Sequence, residues 1–343
     1  MKATLFAGLL GAVVLTPALA LAIDYPPPAP LTPSAQASFA NVAKPKDAKI
    51  RVAYMPPTTV SNYYVAIGEG IKAIAEKSGI ETFMLAPESD ADVDRQIGML
   101  QDTIGQNVSA IIFGTHDEGA AAPLIKRAVA KGIIMINVNS DIPDFPTPIH
   151  ADVGYAQRKG THKMGEYALK LAQGKPLNVG IIEGLPGYHS TERVGGFLDA
   201  IKGSNLKVVS SVSGKWNVED GNAAAMDMLQ AHPEINMIFA ANDYMIMGAE
   251  RAAKSLGRHD LILLGNDGDT AALEEIAGGG VTATVNTAPY IMGEIAMQAL
   301  LDSFDGKFKG GFVETPTEIV DKASVLPILQ NSATLYPKPS KAY

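Results

Sequence analysis

The chain has 343 residues, a formal net charge of −8 and a hydrophobic fraction of 47%, which suits a globular protein with room for two domains. Lys and Arg form no block along the sequence, which excludes the electrostatic footprint of a nucleic-acid-binding protein. The sequence contains no cysteine, so disulfides, thiolate catalysis and cysteine metal sites are excluded.

Residues 1–22 have the pattern of a secretory signal peptide. One Lys precedes an apolar run, and two overlapping small-x-small sites predict cleavage after Ala20 or Ala22. A retained membrane anchor is the alternative, but the run is shorter than the ~20 residues that span a bilayer, and Pro17 interrupts it. We therefore expect an exported, soluble protein.

Both ends of the mature chain are predicted to lie outside the folded lobes. Residues 23–48 are rich in Pro, Ala and Ser without a sustained periodicity, which predicts an extended linker. Residues 326–343 end in a stretch that contains Pro and Lys, and we expect a mobile tail there.

Between these ends, a pattern of strand, turn, amphipathic helix and strand occurs twice. In the first copy the strands are predicted at 50–54, 81–85, 109–113 and 133–138, with helices at 64–78, 92–104 and 119–131. In the second copy the strands are predicted at 177–182, 206–212, 236–240, 260–264 and 281–285, with helices at 190–202, 218–231, 243–256 and 289–304. Residues 153–173 bridge the copies and are predicted to be helical. Apolar strands without alternation suit parallel sheets covered on both faces, so we expect an α/β protein with two doubly wound lobes.

Polar and aromatic side chains follow nearly every predicted strand, where an open doubly wound sheet binds its ligands. These strand ends are 55–64, 114–118, 139–141, 183–193, 242–243 and 266–267. Such residues are also ordinary in loops, but their repetition favours a binding site. The sequence has no H-E-x-x-H, G-x-S-x-G or P-loop motif, so we expect a binding protein that is not an enzyme.

The strand ends also carry an ordered series of short motifs. They are SNYY at 61–64, GEG at 68–70, NSD at 139–141, ERVGGF at 192–197, AAND at 240–243 before MGA at 247–249, GNDG at 265–268 and TATV at 282–285. Over residues 49–325 the series resembles the type I periplasmic sugar-binding proteins, the ribose-binding-like receptors of ABC importers. The ligand domains of lactose-repressor-type regulators share this fold, but this chain has no DNA-binding headpiece and begins with an export signal.

The resemblance implies a periplasmic-binding-protein type I fold, with two lobes joined by a three-crossing hinge. The N-terminal lobe would take 49–152 plus 287–313, and the C-terminal lobe 153–286 plus 314–325. A small polar ligand, a sugar or polyol, would lie in a cleft that closes by hinge rotation. The implied partner is an ABC permease in the inner membrane. We expect a periplasmic monomer without a cofactor.

The resemblance also implies the site residues. Tyr63, Tyr64 and Trp216 would pack on the apolar faces of a sugar ring. Asn242, Asp267 and Arg193 would bind its hydroxyl groups. Several of these have a structural alternative. Asn242 could be a helix N-cap, beside Asp243 as the better cap, and Arg193 could form a surface pair with Glu192 or Asp199. Trp216 could have a packing role, and one of the two tyrosines could belong to the core.

Two positions depart from the family pattern. Asn139 and Ser140 stand where an Asp-Arg pair is common, with Asp141 one residue further on, and Thr287 stands where Gln or Asn is common. We include all four as ligand-binding candidates, and the departures leave the identity of the ligand open. His116 and His189 are weaker candidates, with a helix N-terminal turn and a solvent-facing position as the respective alternatives.

The predicted function is capture of a monosaccharide or polyol and its delivery to an ABC permease. The alternative is a periplasmic sensory receptor that presents a small polar ligand to a membrane kinase or chemoreceptor. An exported hydrolase is a third hypothesis, disfavoured because no nucleophile–base pair or metal set is visible in the sequence.

Overall fold

The structure is a computed structural model and describes residues 23–42, 49–89 and 92–331. The predicted signal peptide, residues 1–22, and the end of the predicted tail, residues 332–343, lie outside the described residues. Strands and helices alternate along most of the chain, as the sequence predicts. The strands are β1 (Arg51–Met55), β2 (Glu81–Met84), β3 (Ala110–Phe113), β4 (Ile134–Val138), β5 (Ala151–Gly154), β6 (Leu177–Glu183), β7 (Leu206–Ser213), β8 (Met237–Ala240), β9 (Ile262–Asp267), β10 (Ala283–Asn286), β11 (Gly311–Glu314) and β12 (Glu318–Asp321). The helices are α1 (Asn62–Lys77), α2 (Val93–Thr103), α3 (Glu118–Ala130), α4 (Gln157–Ala172), α5 (Tyr188–Ile201), α6 (Val218–Ala231), α7 (Asp243–Ser255), α8 (Thr270–Gly278), α9 (Pro289–Phe304) and α10 (Val325–Gln330).

The first sheet has the strand order β11-β5-β4-β3-β1-β2, and all of its strand pairs are parallel. Consecutive residues of the central strand β3 point to opposite faces. Ile111 packs with α2 and α3, whereas Ile112 packs with α1 and α9. Because both faces are covered, the strand is apolar along its whole length.

The second sheet has the order β12-β10-β9-β8-β6-β7. Only β12 among its described strands runs antiparallel to its neighbour. Helices α4 and α5 cover one face, and helices α6, α7 and α8 cover the other. In the core beneath α5 the rings of Phe197 and Phe239 stack with their centroids 4.3 Å apart. The two sheets confirm the α/β fold with two doubly wound lobes.

The chain passes between the two sheets after β5, after β10 and after β11. The lobe boundaries differ slightly from the predicted ones. Residues 153–154, predicted to open the C-terminal lobe, complete β5 in the first sheet, and Glu314 pairs there with Gly154. The sequence placed this boundary too early because the predicted helical bridge, residues 153–173, included the last two residues of β5.

The described part of the predicted linker, residues 23–42, packs against the N-terminal lobe, so the prediction of an unpacked linker is wrong there. Ala29 forms a β-bridge with Phe312 of the edge strand β11, and Gln36 forms one with Ile149. Leu31 and Ala35 are buried in the same core as α2 and α3. A segment that pairs with a sheet edge needs no periodicity of its own, and it protects that edge.

The first residues of the predicted tail are also ordered. Residues 325–330 form α10, with Val325 fully buried against the C-terminal lobe. Ile328 and Leu329 pack against the same core cluster. The C-terminal lobe therefore extends at least to the end of this helix.

Candidate functional site

A cavity of about 420 Å³, a volume that includes its solvent-facing mouth, lies between the lobes. Both lobes contribute to its walls. The N-terminal lobe provides Ser61, Tyr63, Tyr64, His116 and Asn139, and the C-terminal lobe provides His189, Arg193, Trp216, Asn242, Tyr244 and Asp267. Most of these residues lie in loops that follow strands or in the first turn of the next helix, whereas Asp267 ends β9 and Arg193 lies in the second turn of α5. This arrangement is expected for an open doubly wound sheet.

The structure brings seven of the ten predicted site residues together around this cavity: Tyr63, Tyr64, Asn139, Arg193, Trp216, Asn242 and Asp267. Ser140, Asp141 and Thr287 are not among the lining residues. Ser140 is buried, and its Oγ has no hydrogen-bond partner among the described residues. The Asp141 carboxylate accepts the backbone N–H of Gln157, and the Thr287 hydroxyl lies behind the Tyr63 ring at 2.8 Å from its OH.

Arg193 is buried at the floor of the cavity. Its Nη1 donates to Oδ1 of Asp267 at 3.0 Å and to the backbone oxygen of Ala241 at 3.1 Å. Its guanidinium carbon lies 5.3 Å from the centroid of the Trp216 ring, within the range of a cation–π contact. The alternative of a surface Arg193 is wrong, because Glu192 and Asp199 pair instead with Arg158.

Asn242 combines a structural role with its place in the cavity wall. Its Oδ1 accepts the backbone N–H of Met245 at 2.9 Å, which makes it the N-cap of α7, and its Nδ2 donates to the backbone oxygen of Trp216. Asp243, expected from the sequence to be the better cap, instead accepts the backbone N–H groups of Gly268 and Asp269. Because the Asn242 side chain bonds both to α7 and to the backbone of Trp216, it holds the loop that carries Trp216 at the N-terminus of this helix.

Aromatic side chains form opposite walls of the cavity. On the N-terminal lobe the rings of Tyr63 and Tyr64 meet edge to face, with centroids 5.5 Å apart. On the C-terminal lobe Trp216 has a left-handed backbone, with φ +67. A Cβ on Gly184 would lie 2.0 Å from the Trp216 ring, so only glycine permits this approach. His116 faces Trp216 from the other lobe, with rings 13° from parallel and centroids 6.0 Å apart.

Four lining residues were not among the ten predicted site residues: Ser61, His116, His189 and Tyr244. Ser61 was placed in a family motif, and both histidines were weaker candidates with structural alternatives. Tyr244 was missed altogether. It is the second residue of α7, two residues after the N-cap Asn242, so the strand-end rule could have identified it.

The comparisons with known proteins agree with this geometry. The family described as "Periplasmic binding protein domain" matches residues 52–308. The chain belongs to this family. The D-ribose/D-allose-binding protein of Pseudomonas aeruginosa is 31% identical over 79% of this chain and 89% of its own length. The ribose import binding protein of Bacillus subtilis is 28% identical over 76% of this chain and 84% of its own length.

Among solved structures, an ABC transporter solute-binding protein from Actinobacillus succinogenes with bound D-allose is similar to this chain. It is 26% identical, has a TM-score of 0.75, and the match covers 81% of this chain and 99% of that one. This similarity confirms the periplasmic-binding-protein type I fold.

Several hydrogen bonds join the lobes of this periplasmic binding protein across the cleft. The Tyr188 hydroxyl donates to Asp141, whose backbone oxygen and Oδ1 both lie at 3.1 Å. The Tyr244 hydroxyl accepts the backbone N–H of Asn62 at 3.2 Å. Because the two sides of the cleft are in direct contact, the structure represents a closed arrangement of the lobes.

Burial sets the protonation of the ionisable groups around the cleft. It raises the pKa of Asp267 to about 6, and the nearby Arg193 only partly offsets this effect. Burial also raises the pKa of Asp141 to about 6. The same desolvation lowers the pKa of His189 well below its usual value, with the positive Arg193 as the second cause. A neutral His189 can accept a hydrogen bond at Nδ1, and this atom lies 2.6 Å from the amide nitrogen of Gln157.

Within the described ranges, no group of three or more His, Asp or Glu side chains is arranged to hold a metal ion. None of the described helices is both long enough and apolar enough to span a membrane.

Proposed function

We propose that this protein captures a monosaccharide or a related polyol in its interlobe cleft and delivers it to an ABC permease in the inner membrane. The observation that carries the proposal is the composition of the cavity walls. Aromatic rings from both lobes face a space whose floor holds the Arg193–Asp267 pair. Such a space accommodates the apolar C–H face of a sugar while charged and amide groups meet its hydroxyls.

The charge of the cavity lining favours a small neutral ligand. The only carboxylate and the only guanidinium among the lining residues neutralise each other, since Arg193 donates to Asp267 at 3.0 Å. A sugar phosphate or a sugar acid would therefore find no unpaired counter-charge from these two groups.

Relatives of this chain support the same ligand class. The Pseudomonas aeruginosa relative is named for D-ribose and D-allose and the Bacillus subtilis relative for ribose, and the Actinobacillus succinogenes structure holds D-allose. We further propose that the mature chain acts in the periplasm as a monomer, after cleavage of the signal peptide behind Ala20 or Ala22, and releases its ligand unchanged. Closure would be favoured only by the contacts that the ligand makes with both lobes together.

Titration of the mature chain with D-ribose, D-allose, D-arabinose and xylitol tests this proposal. Trp216 is the only Trp in the chain, so its fluorescence reports on the cavity directly, and calorimetry gives the dissociation constant. We expect at least one sugar to change Trp216 emission saturably and to raise the melting temperature. D-ribose 5-phosphate and D-gluconate are the charged controls and should bind more weakly. A lack of response to every neutral compound, together with no sugar in the mass spectrum of the denatured protein, would refute the proposal.

A further inference from the structure

A ring of closely spaced polar groups surrounds the hinge side of the cavity and passes through both lobes. Each member approaches the next through at least one side-chain atom, with distances between 2.8 and 3.0 Å. In order, the ring runs from Arg193 to Asp267, Thr287, Tyr63, Asn139 and Gln157, and back to Arg193. Five of these residues were site candidates from the sequence, whereas Gln157 was not.

Gln157 occupies the position where the chain first crosses between the lobes. It is the first residue of α4, three residues after the end of β5, and it is completely buried. Its Oε1 accepts the Nε–H of Arg193 at 2.9 Å. Its Nε2 donates to the backbone oxygen of Asn139 at 3.0 Å and lies 2.6 Å from Nδ1 of His189. One amide thus contacts the guanidinium of the C-terminal lobe and the backbone of the N-terminal lobe.

The chemistry of these contacts calls for an amide. Arg193 can only donate hydrogen bonds, and the backbone oxygen of Asn139 can only accept them. A glutamine side chain satisfies both, because it carries an acceptor and a donor on the same group. A carboxylate would place an oxygen against the Asn139 oxygen, and an alkyl chain would leave both partners unsatisfied in a buried site.

The hydrogen bond between Gln157 and Arg193 also affects the orientation of the guanidinium group. The guanidinium plane is held at Nε by Gln157 and at Nη1 by Asp267. Two anchors on different nitrogens fix the direction of the plane, whereas a single anchor leaves rotation about that contact. The fixed plane brings the guanidinium carbon to 5.3 Å from the Trp216 ring, where it forms part of the cavity wall.

We infer that Gln157 is the positioning residue of this site: it aims Arg193 into the cavity and ties that arginine to the N-terminal lobe at the hinge. The inference rests on the proposed function, since it assigns Gln157 a role in binding the same small neutral ligand. It adds a residue that lies outside the cavity lining and acts through its contacts with Arg193, Asn139 and His189.

The test compares Gln157→Leu and Gln157→Glu with the wild-type protein. The first variant removes both contacts, and the second keeps the acceptor for Arg193 but loses the donor. Gln298→Leu is the matched control, because Gln298 is also a buried helical glutamine, donating from Nε2 to Asp302 on α9. Two readouts are needed: Trp216 emission without sugar, and the dissociation constants for D-ribose and D-allose.

For Gln157→Leu we expect a shifted Trp216 emission in the sugar-free protein and a roughly tenfold or greater loss of affinity for the sugar that the wild type binds, because a hydrogen bond to a charged group is lost. Gln157→Glu should keep an emission close to that of the wild type and lose less affinity. Gln298→Leu should change neither readout.

Unchanged sugar-free emission in Gln157→Leu would overturn the inference even if affinity fell, since a merely structural glutamine would not move Arg193 relative to Trp216. An affinity within twofold of the wild type would also overturn it. If Gln157→Leu fails to fold, Gln157→Glu decides: an emission far from that of the wild type contradicts the inference, and a retained emission with reduced affinity supports it. If the wild type binds no sugar of the panel, the proposed function fails, while the sugar-free emission still decides whether Gln157 positions Arg193.

Discussion

Arg193 and Asp267 form a buried ion pair at the floor of the interlobe cavity, with Nη1 and Oδ1 3.0 Å apart and side chains only 5% and 7% exposed. Both belong to the C-terminal lobe, so the pair exists whether or not the lobes are closed. A buried pair is weak evidence of stabilisation in itself, but removing one partner leaves an uncompensated buried charge. Loss of either partner is therefore expected to reduce both the stability of the C-terminal lobe and ligand binding.

We predict that Asp267→Ala lowers the free energy of unfolding by roughly 3–5 kcal/mol and abolishes sugar binding. Asp260→Ala is the control, because Asp260 pairs with Arg258 at the surface, where it is 61% exposed; such pairs contribute about 1 kcal/mol or less. Urea unfolding followed by circular dichroism measures both changes. If the two substitutions lower the free energy of unfolding equally, Asp267 is not the buried counter-charge of Arg193.

Asp141 predicts a dependence of stability on pH. Burial raises its pKa to about 6 in the folded protein, whereas an unfolded Asp has a pKa of about 3.9. The folded state therefore binds the proton more tightly, and this contribution to stability, complete below the unfolded pKa, is lost as the pH rises to about 6. Asp141→Asn cannot ionise, and its amide can still bond to the Tyr188 hydroxyl.

We therefore expect the melting temperature of Asp141→Asn, relative to that of the wild type, to rise between pH 4 and pH 7. Scanning calorimetry at half-unit intervals measures the difference. Asp144→Asn, a change at an exposed position in the same loop, serves as the control. If this difference in melting temperature stays constant or falls as the pH rises, the ionisation of Asp141 does not contribute to the pH dependence of stability.

Tyr244 predicts a shift in the equilibrium between open and closed lobes. Its hydroxyl accepts the backbone N–H of Asn62 across the cleft and donates to Asp269 on its own side. We expect Tyr244→Phe to increase the radius of gyration of the sugar-free protein and to weaken sugar binding by roughly three- to tenfold, because one neutral hydrogen bond of the closed form is lost. Small-angle X-ray scattering and calorimetry are the measurements.

Tyr167→Phe is the matched control for Tyr244→Phe, since the Tyr167 hydroxyl donates to Asp321 within the C-terminal lobe. It should leave both the radius of gyration and the affinity unchanged. If Tyr244→Phe has the same radius of gyration as the wild type, the hydroxyl does not stabilise the closed lobes, and any loss of affinity comes from ligand contact alone.

The sequence predicted best the features that depend on local patterns. The apolar strands β1, β3 and β4 lie within one residue of their predicted starts, because strands covered on both faces are apolar throughout. Asn242 and Asp267 lie at predicted strand ends, where ligands bind in such sheets, and the family resemblance assigned both to the site whose cavity they line. Whether these residues contact a ligand remains a prediction.

Other features depend on partners that are distant in sequence. Strand β5 was missed because its Asp152 suggests a loop, yet that carboxylate is buried and accepts hydrogen bonds from Asn137 and the backbone of Ile142. Gln157 is an ordinary polar helix residue in the sequence, and only the fold brings it to Arg193 and Asn139. Helix α8 was missed because nine residues give a weak periodic signal.

The structure of the N-terminal segment also depends on partners that are distant in sequence. Leu31 lies in a Pro-rich stretch that predicts a linker, yet it is buried beside α2 and α3. We expect Leu31→Ala to lower the free energy of unfolding by roughly 2–5 kcal/mol, as deletions of buried Leu side chains do, while sugar affinity stays unchanged because Leu31 does not line the cavity. Leu326→Ala is the matched control, since Leu326 is 59% exposed and its loss should have little effect. Urea unfolding of both variants decides the matter: if Leu31→Ala is as stable as Leu326→Ala, residues 23–42 do not contribute to the core of the N-terminal lobe in solution.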